Sequence, residues 1–199
     1  MSNNFSSLSN FIKVLENENE LIRIKTKINT ELEITEIADR ISKLKNGGKA
    51  LLFENNGTNF PLLINAYGSQ KRMCLSLGVK NLEDIGIEIE NMIKGINEPK
   101  STIIDKLKLL PKLKEISSWL PKNVSGKAFC QENIIKNPDL NIFPILKCWP
   151  YDGGKFITLP MVHTKDPNTG IRNVGMYRMQ IFEKDMSAMH WHKHKTGAK

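Results

Sequence analysis

Cysteine is scarce. Cys74, Cys130 and Cys148 are three in 199 residues, an odd number with no C-x-x-C spacing. That excludes a disulfide framework and a cysteine-built zinc site, and each thiol reads as a small buried apolar residue. Long apolar runs are missing too. Nothing approaches the ~20 residues that span a bilayer, so no transmembrane segment is expected. The opening Met1-Ser2-Asn3-Asn4-Phe5-Ser6-Ser7 has neither a basic stretch nor an apolar core, so no secretory leader is read and a cytoplasmic protein is expected. Neither G-x-x-x-x-G-K nor G-x-G-x-x-G occurs, which removes support for a P-loop or Rossmann site.

What is there is ordinary globular material. The chain is 40% hydrophobic and 25% charged, and its length allows one or two domains, of which two are read. The formal charge is +8, but the lysines are spread rather than massed in one tract. That favours a solvated surface hospitable to anionic cofactors and substrates over a nucleic-acid face.

The first half alternates helices and strands. Leu8, Phe11, Ile12 and Leu15 sit at helical spacing, followed by a β-prone run over 21–25. Thr30 and Glu33 read as a capping box for a helix whose buried face carries Ile34, Ile37, Ile41 and Leu44, and Gly47-Gly48 is read as its end. Residues 50–53 and 62–65 read as strands around an Asn56-Gly57 turn. Helices follow over 70–77, 82–94 and 102–110, before Pro111. This predicts an α/β domain over 1–115.

From Trp119 onward helical periodicity disappears, and Pro121, Pro138, Pro144, Pro150, Pro160 and Pro167 punctuate short extended runs. A second, all-β unit over 116–199 is expected. Residues 156–164 and 172–182 read as a hairpin closed by the turn formers of 165–170, and 188–194 as a third strand.

The densest chemistry lies in Asn173-Val174-Gly175-Met176-Tyr177-Arg178 and Met189-His190-Trp191-His192-Lys193-His194, which bring together a carboxamide, a guanidinium, aromatics and imidazoles. Gly175, Thr158 and Arg178 supply a backbone amide, a hydroxyl and a cation, candidates of each kind for holding a phosphate. Asn173 and His194 offer oxygen and nitrogen donors that suit Mn²⁺ or Mg²⁺ better than a thiolate-seeking metal, although two ligands cannot make a site. Asn173 and Arg178 are five residues apart, so one straight strand would point them to opposite faces. Either Asn173 precedes the strand or a bulge intervenes.

Plainer readings stand beside these. An alternating His190, His192, His194 row is more often a surface feature than a ligand set. Met176, Met179, Met186 and Met189 read as gap-fillers of a core, Trp149 and Trp191 as core anchors, and Arg172 as a solvated charge.

The pattern resembles the UbiD family of carboxy-lyases. The likeness includes Pro144-Ile145-Leu146-Lys147-Cys148-Trp149-Pro150, Gly154-Lys155-Phe156-Ile157-Thr158-Leu159-Pro160, and Thr164-Lys165-Asp166-Pro167 with Thr169-Gly170, in order over some sixty residues. The resemblance implies decarboxylation of an aromatic or α,β-unsaturated acid by covalent catalysis with prenylated FMN, in a quinone-pathway or aryl-acid branch. It implies a split β-barrel, flavin-reductase-like, of which this chain would hold the opening strands. It also implies a divalent ion on Asn173, His194 and a later Glu, with K⁺ admitted beside it. Arg178 would be the catalytic arginine that grips the substrate carboxylate. Cofactor contacts carry over to Thr158, Gly175, Met176, Tyr177, Arg178, His190, Trp191, His192, Lys195 and Thr196. A flavin prenyltransferase as cofactor supplier and a homo-oligomer of longer chains are implied as well. The last His lies five residues before Lys199, so a larger protein cut short is expected, inactive alone and prone to misassembly through uncovered strand edges. Two other classes remain: a stand-alone flavin-binding module, and a basic RNA-binding protein with a steep salt dependence.

Overall fold

The computed structural model describes residues 7–97, 111, 113–114, 116–120, 122–123 and 125–198. At its centre, the four-residue apolar run of β2 (Ala50–Phe53) is buried on both faces. Alternation along the strand sends Leu51 and Phe53 to one side, where they pack with Ile34 and Ala38 of α2 (Glu33–Ser42). Ala50 goes to the other side, against Phe11 and Leu15 of α1 (Leu8–Asn17). A strand buried twice needs no polar alternation, which is why this one reads as a continuous apolar run. β1 (Leu21–Ile24) pairs with it in parallel, Leu21 opposite Ala50, and β3 (Leu62–Ile64) antiparallel, Leu51 opposite Ile64.

Ser7 caps α1, its hydroxyl accepting from Asn10 N at 3.3 Å, and Ser69 caps α3 (Gln70–Leu77), accepting from Arg72 N at 3.2 Å. Gly78, left-handed at φ 69°, ends α3. The long α4 (Glu83–Asn97) follows. The helix expected over 102–110 lies outside the described residues.

Both ends of α2 differ from expectation, each for its own reason. Its N-cap is Leu32 at φ 65°, not Thr30, and no side chain caps it. The segment after Pro144 returns to this loop. Lys147 N donates to Thr30 O at 3.3 Å, and Leu32 N donates to Lys147 O at 3.0 Å. A parallel bridge joins Glu31 to Lys147, and Leu146 packs on the α2 core. Glu33 does reach back, but to Asn29 N at 2.7 Å. At the other end α2 stops at Ser42, ahead of Gly47-Gly48, because Leu44 is extended (ψ 162°) and half-exposed rather than on the buried face.

The second half is antiparallel. β4 (Lys155–Ile157) pairs with β7 (Met179–Glu183), which pairs with β8 (Met186–Met189). A separate hairpin joins β5 (Met161–Lys165) to β6 (Arg172–Met176), with Thr164 opposite Asn173. The hairpin turn is closed by Asp166, whose Oδ1 accepts from Asn168 N at 2.8 Å and Thr169 N at 2.9 Å. Among the described residues of this half, only Phe156 and Tyr177 are buried apolar side chains. Trp149 is 57% exposed and Trp191 44%, so neither anchors a core, and Met176 and Met186 also face solvent. Of the cysteines Cys74 is buried, but Cys148 is half-buried and Cys130, in a short 3-10 helix over Phe129–Gln131, is exposed.

Candidate functional site

The expected long strand over 172–182 is broken at Tyr177-Arg178, where the chain leaves the β5–β6 hairpin and enters the other sheet. This break resolves the facing problem without a bulge. Asn173 lies within β6 on the half-buried face, and Arg178 lies beyond the strand. A register shift falls further on, between Ile181 and Glu183.

Tyr177, 7% exposed, folds back over its own strand. Only glycines permit this. A Cβ on Gly175 would come within 2.5 Å of the Tyr177 ring, and one on Gly197 within 2.5 Å of its hydroxyl. Trp191 closes the ring's flank, the centroids 5.0 Å apart. The Tyr177 hydroxyl accepts from Gly197 N at 2.9 Å and from Asn173 Nδ2 at 3.5 Å. Asn173 Nδ2 also donates to Thr164 Oγ1 at 3.3 Å. With its nitrogen engaged, Asn173 presents a carboxamide oxygen that accepts from none of the described residues.

Arg178 sits on the adjacent side of the break. Its guanidinium carbon lies 3.7 Å from the centroid of the buried Phe156 ring, and Nη2 donates to Asp152 Oδ2 at 3.0 Å. The same carboxylate oxygen accepts from Trp149 N at 3.2 Å, within a turn closed by Asp152 N donating to Trp149 O. Arg178 O accepts from His190 N at 2.8 Å.

β8 ends at Met189, since its partner β7 begins at Met179 and the chain before that has turned away. The expected third strand over 188–194 therefore does not extend, and the three histidines do not alternate along a strand face. The His190 and His192 rings instead lie 5.1 Å apart. His194, Lys195 and Thr196 fall in an exposed turn ahead of Gly197. Thr158 is exposed just past β4, on a groove of about 690 Å³ shared with Leu62, Leu63, Ile64 and Leu146. Met176 points outward.

The structure thus gathers Asn173, Gly175, Tyr177, Trp191 and the 196–198 turn on one side and Arg178 on the other. Sequence reasoning overlooked Asp152, Phe156, Thr164 and Gly197. A carboxylate followed by two glycines at a strand entry, Asp152-Gly153-Gly154, was the available signal for the first. Among the described residues, no group of three His, Cys, Asp or Glu side chains is placed to hold a metal. The Asn173 carboxamide oxygen, with its nitrogen engaged, is a hard donor of the kind that a hard cation beside a phosphate takes, and such an ion would need its further ligands from elsewhere. No helix of the described residues is long and apolar enough to cross a membrane.

An α/β sandwich that feeds antiparallel strands and offers an arginine at a sheet break defines a class, and comparison with known proteins narrows it. Residues 12–89 match the N-terminal domain, and residues 122–199 the Rift-related domain, of 3-octaprenyl-4-hydroxybenzoate carboxy-lyase. The chain belongs to the UbiD family of carboxy-lyases. It is 48% identical over 198 residues to an uncharacterized protein of Aquifex aeolicus, covering 99% of this chain and 40% of that one. An uncharacterized protein of Archaeoglobus fulgidus is 46% identical over 195 residues, 98% of this chain and 39% of the other. The chain therefore spans about 40% of the length of these relatives. Among solved structures, vanillic acid decarboxylase of Sedimentibacter hydroxybenzoicus in closed form matches with a TM-score of 0.68 and 27% identity, over 95% of this chain and 38% of that one. An evolved dimeric form of the UbiD-class enzyme HmfF from Pelotomaculum thermopropionicum, in complex with prFMN, shares the fold with a TM-score of 0.68 at 22% identity, over 94% of this chain and 38% of that one.

Proposed function

We propose that this chain is the N-terminal portion of a carboxy-lyase that reversibly decarboxylates an aromatic or α,β-unsaturated acid, with prenylated FMN supplied by a flavin prenyltransferase. On this reading 1–115 is the α/β domain and 116–199 opens a split β-barrel. The protein is a cytoplasmic homo-oligomer, and the 199-residue chain is inactive alone. The observation that carries the reading is the break at Tyr177-Arg178, which sets a half-exposed guanidinium beside a carboxamide oxygen free to take a ligand.

Arg178 binds the substrate carboxylate. A guanidinium stays charged at all relevant pH and grips a carboxylate in bidentate fashion, and Asp152 takes only one of its donors. Phe156 covers one face of the guanidinium and keeps water from it. Asn173 and His194 hold the divalent ion, Mn²⁺ or Mg²⁺, with the cofactor phosphate. Thr158, Gly175, Met176, Tyr177, His190, Trp191, His192, Lys195 and Thr196 line the cofactor. When bound, the prenylated flavin supplies the electron sink for loss of CO₂. The proton that replaces CO₂ comes from acidic groups in the rest of the relatives' length.

The test is CO₂ release by the whole protein, coexpressed with a flavin prenyltransferase, from vanillate, 3,4-dihydroxybenzoate and 4-hydroxybenzoate. Turnover of one of them is expected, with Arg178→Ala lowering kcat/KM by about a hundredfold or more. A protein that carries prenylated flavin but releases no CO₂ from any of the three would favour a stand-alone flavin module and overturn the proposal.

A further inference from the structure

Arg178 is fixed by two contacts at right angles in kind. Phe156 holds the face of the guanidinium at 3.7 Å, and Asp152 holds its edge at 3.0 Å. A planar fork held on one face and at one edge keeps little freedom except rotation in its own plane. Asp152 is itself held. The Trp149–Asp152 turn ties its carboxylate to Trp149 N, and Gln180 Nε2 donates to the next carbonyl, Gly153 O, at 3.1 Å. The segment that leads into this turn is bonded to the α/β unit through Lys147, by its bridge to Glu31 and by a salt bridge at 3.2 Å.

We propose that Asp152 is a positioning residue for Arg178, orienting its guanidinium toward the substrate carboxylate while leaving the remaining donors free. This rests on the reading of Arg178 as the carboxylate-binding arginine. Stability does not account for the pair. The Asp152 side chain is 14% exposed and that of Arg178 36%, and an ion pair open to water on one side contributes little to folding. Its consequence is geometric. Misplacing a group that orients a substrate by about 1 Å costs up to about a hundredfold in rate. It also has a sign in binding, because removing the Asp152 charge removes a competitor of the substrate carboxylate for Arg178.

The experiment compares the wild-type whole protein, loaded with prenylated flavin, with Asp152→Ala, Asp152→Asn and Arg178→Ala. The readouts are kcat per bound flavin and KM on the acid that is turned over, the affinity for benzoate as a non-reacting carboxylate, and crystal structures of both Asp152 variants. Asp152→Ala is expected to lower kcat about ten- to a hundredfold, with KM and the benzoate dissociation constant unchanged or lower and Arg178 displaced from Phe156. Asp152→Asn keeps an acceptor oxygen without the charge and falls between wild type and Asp152→Ala. If Asp152→Ala does not fold, the isosteric Asp152→Asn carries the test alone. Arg178→Ala without activity, alongside Asp152 variants with full kcat and an unmoved Arg178, overturns the positioning role and leaves the proposed function standing. An active Arg178→Ala overturns both. A merely structural role for Asp152 would lower the yield of folded enzyme but leave kcat per bound flavin unchanged, and that outcome also refutes the proposal.

Discussion

Replacing Arg72 by methionine tests the packing logic of the α/β unit. Arg72 on α3 is fully enclosed. Nη1 donates to Glu20 Oε2 at 2.8 Å and to Gly48 O at 2.6 Å, and Nη2 donates to Gly47 O at 3.3 Å. Removing one partner of a buried charge pair costs ~3–5 kcal/mol, and the surroundings decide where in that range the change falls. Gly47 O retains Asn65 Nδ2 at 2.9 Å, and Glu20 retains Lys71 at 3.5 Å with a side chain 19% open to water. Arg72 Nε has no partner among the described residues, so the substitution also relieves a desolvation cost. Only Gly48 O is orphaned among the described residues, at ~1–3 kcal/mol. Methionine fills the space of the stem and avoids a large cavity. The expected loss is therefore near the low end, about 3 kcal/mol. It is read from urea midpoints at unchanged m, with hydrogen exchange at β2 as the local measure. Adding Glu20→Gln to Arg72→Met should recover little of it, since Glu20 keeps Lys71 and its access to water. A loss below about 1 kcal/mol would refute the reasoning, because it would mean that Arg72 exchanges its bonds for water at no cost.

Two further outcomes follow from the turns. The Asp166 carboxyl is held below its usual value by backbone N–H groups of Thr169 and Asn168. Its contribution is then full above the unfolded value near pH 4 and is lost as pH falls through the lower folded value. An NMR titration of Asp166 should show a midpoint below about 3.9, and Asp166→Asn should keep the turn while abolishing that titration. A midpoint at or above about 3.9 would contradict it. Gly47 has φ +75°, and a Cβ there would overlap the Gly68 carbonyl oxygen, whereas Gly57 at φ +87° has open space around it. Gly57→Ala should cost about 1–2 kcal/mol, the left-handed penalty alone. Gly47→Ala should cost clearly more by urea unfolding, and equal costs would show that the Gly47–Gly68 approach imposes nothing.

Much of the fold was legible locally. The helical spacing of Phe11 and Leu15, the doubly buried run of β2 and the turn formers around Asp166 each declare their element within a few residues, because periodicity and turn chemistry act over that range. The site was legible as a set of residue types, and the family through the order of its motifs, but not as an arrangement. Nothing near residue 152 in sequence announces Arg178, since the two meet only once β4 and β7 pair. The Gly197 requirement likewise comes from the Tyr177 ring, a contact across twenty residues, whereas that at Gly175 arises only two residues from it.

By itself, then, the sequence determined which segments are helix or strand and which chemistry the chain carries. Tertiary structure decided where those elements start and stop. Lys147 takes the backbone groups of Thr30 and Leu32 and moves the start of α2, the turning away of β7 ends β8 before the histidines, and Asp152 and Phe156 aim the arginine. The physical reason is the same each time. A backbone or charged group bonds to whatever partner folding brings within reach, and that partner lies far off in the chain.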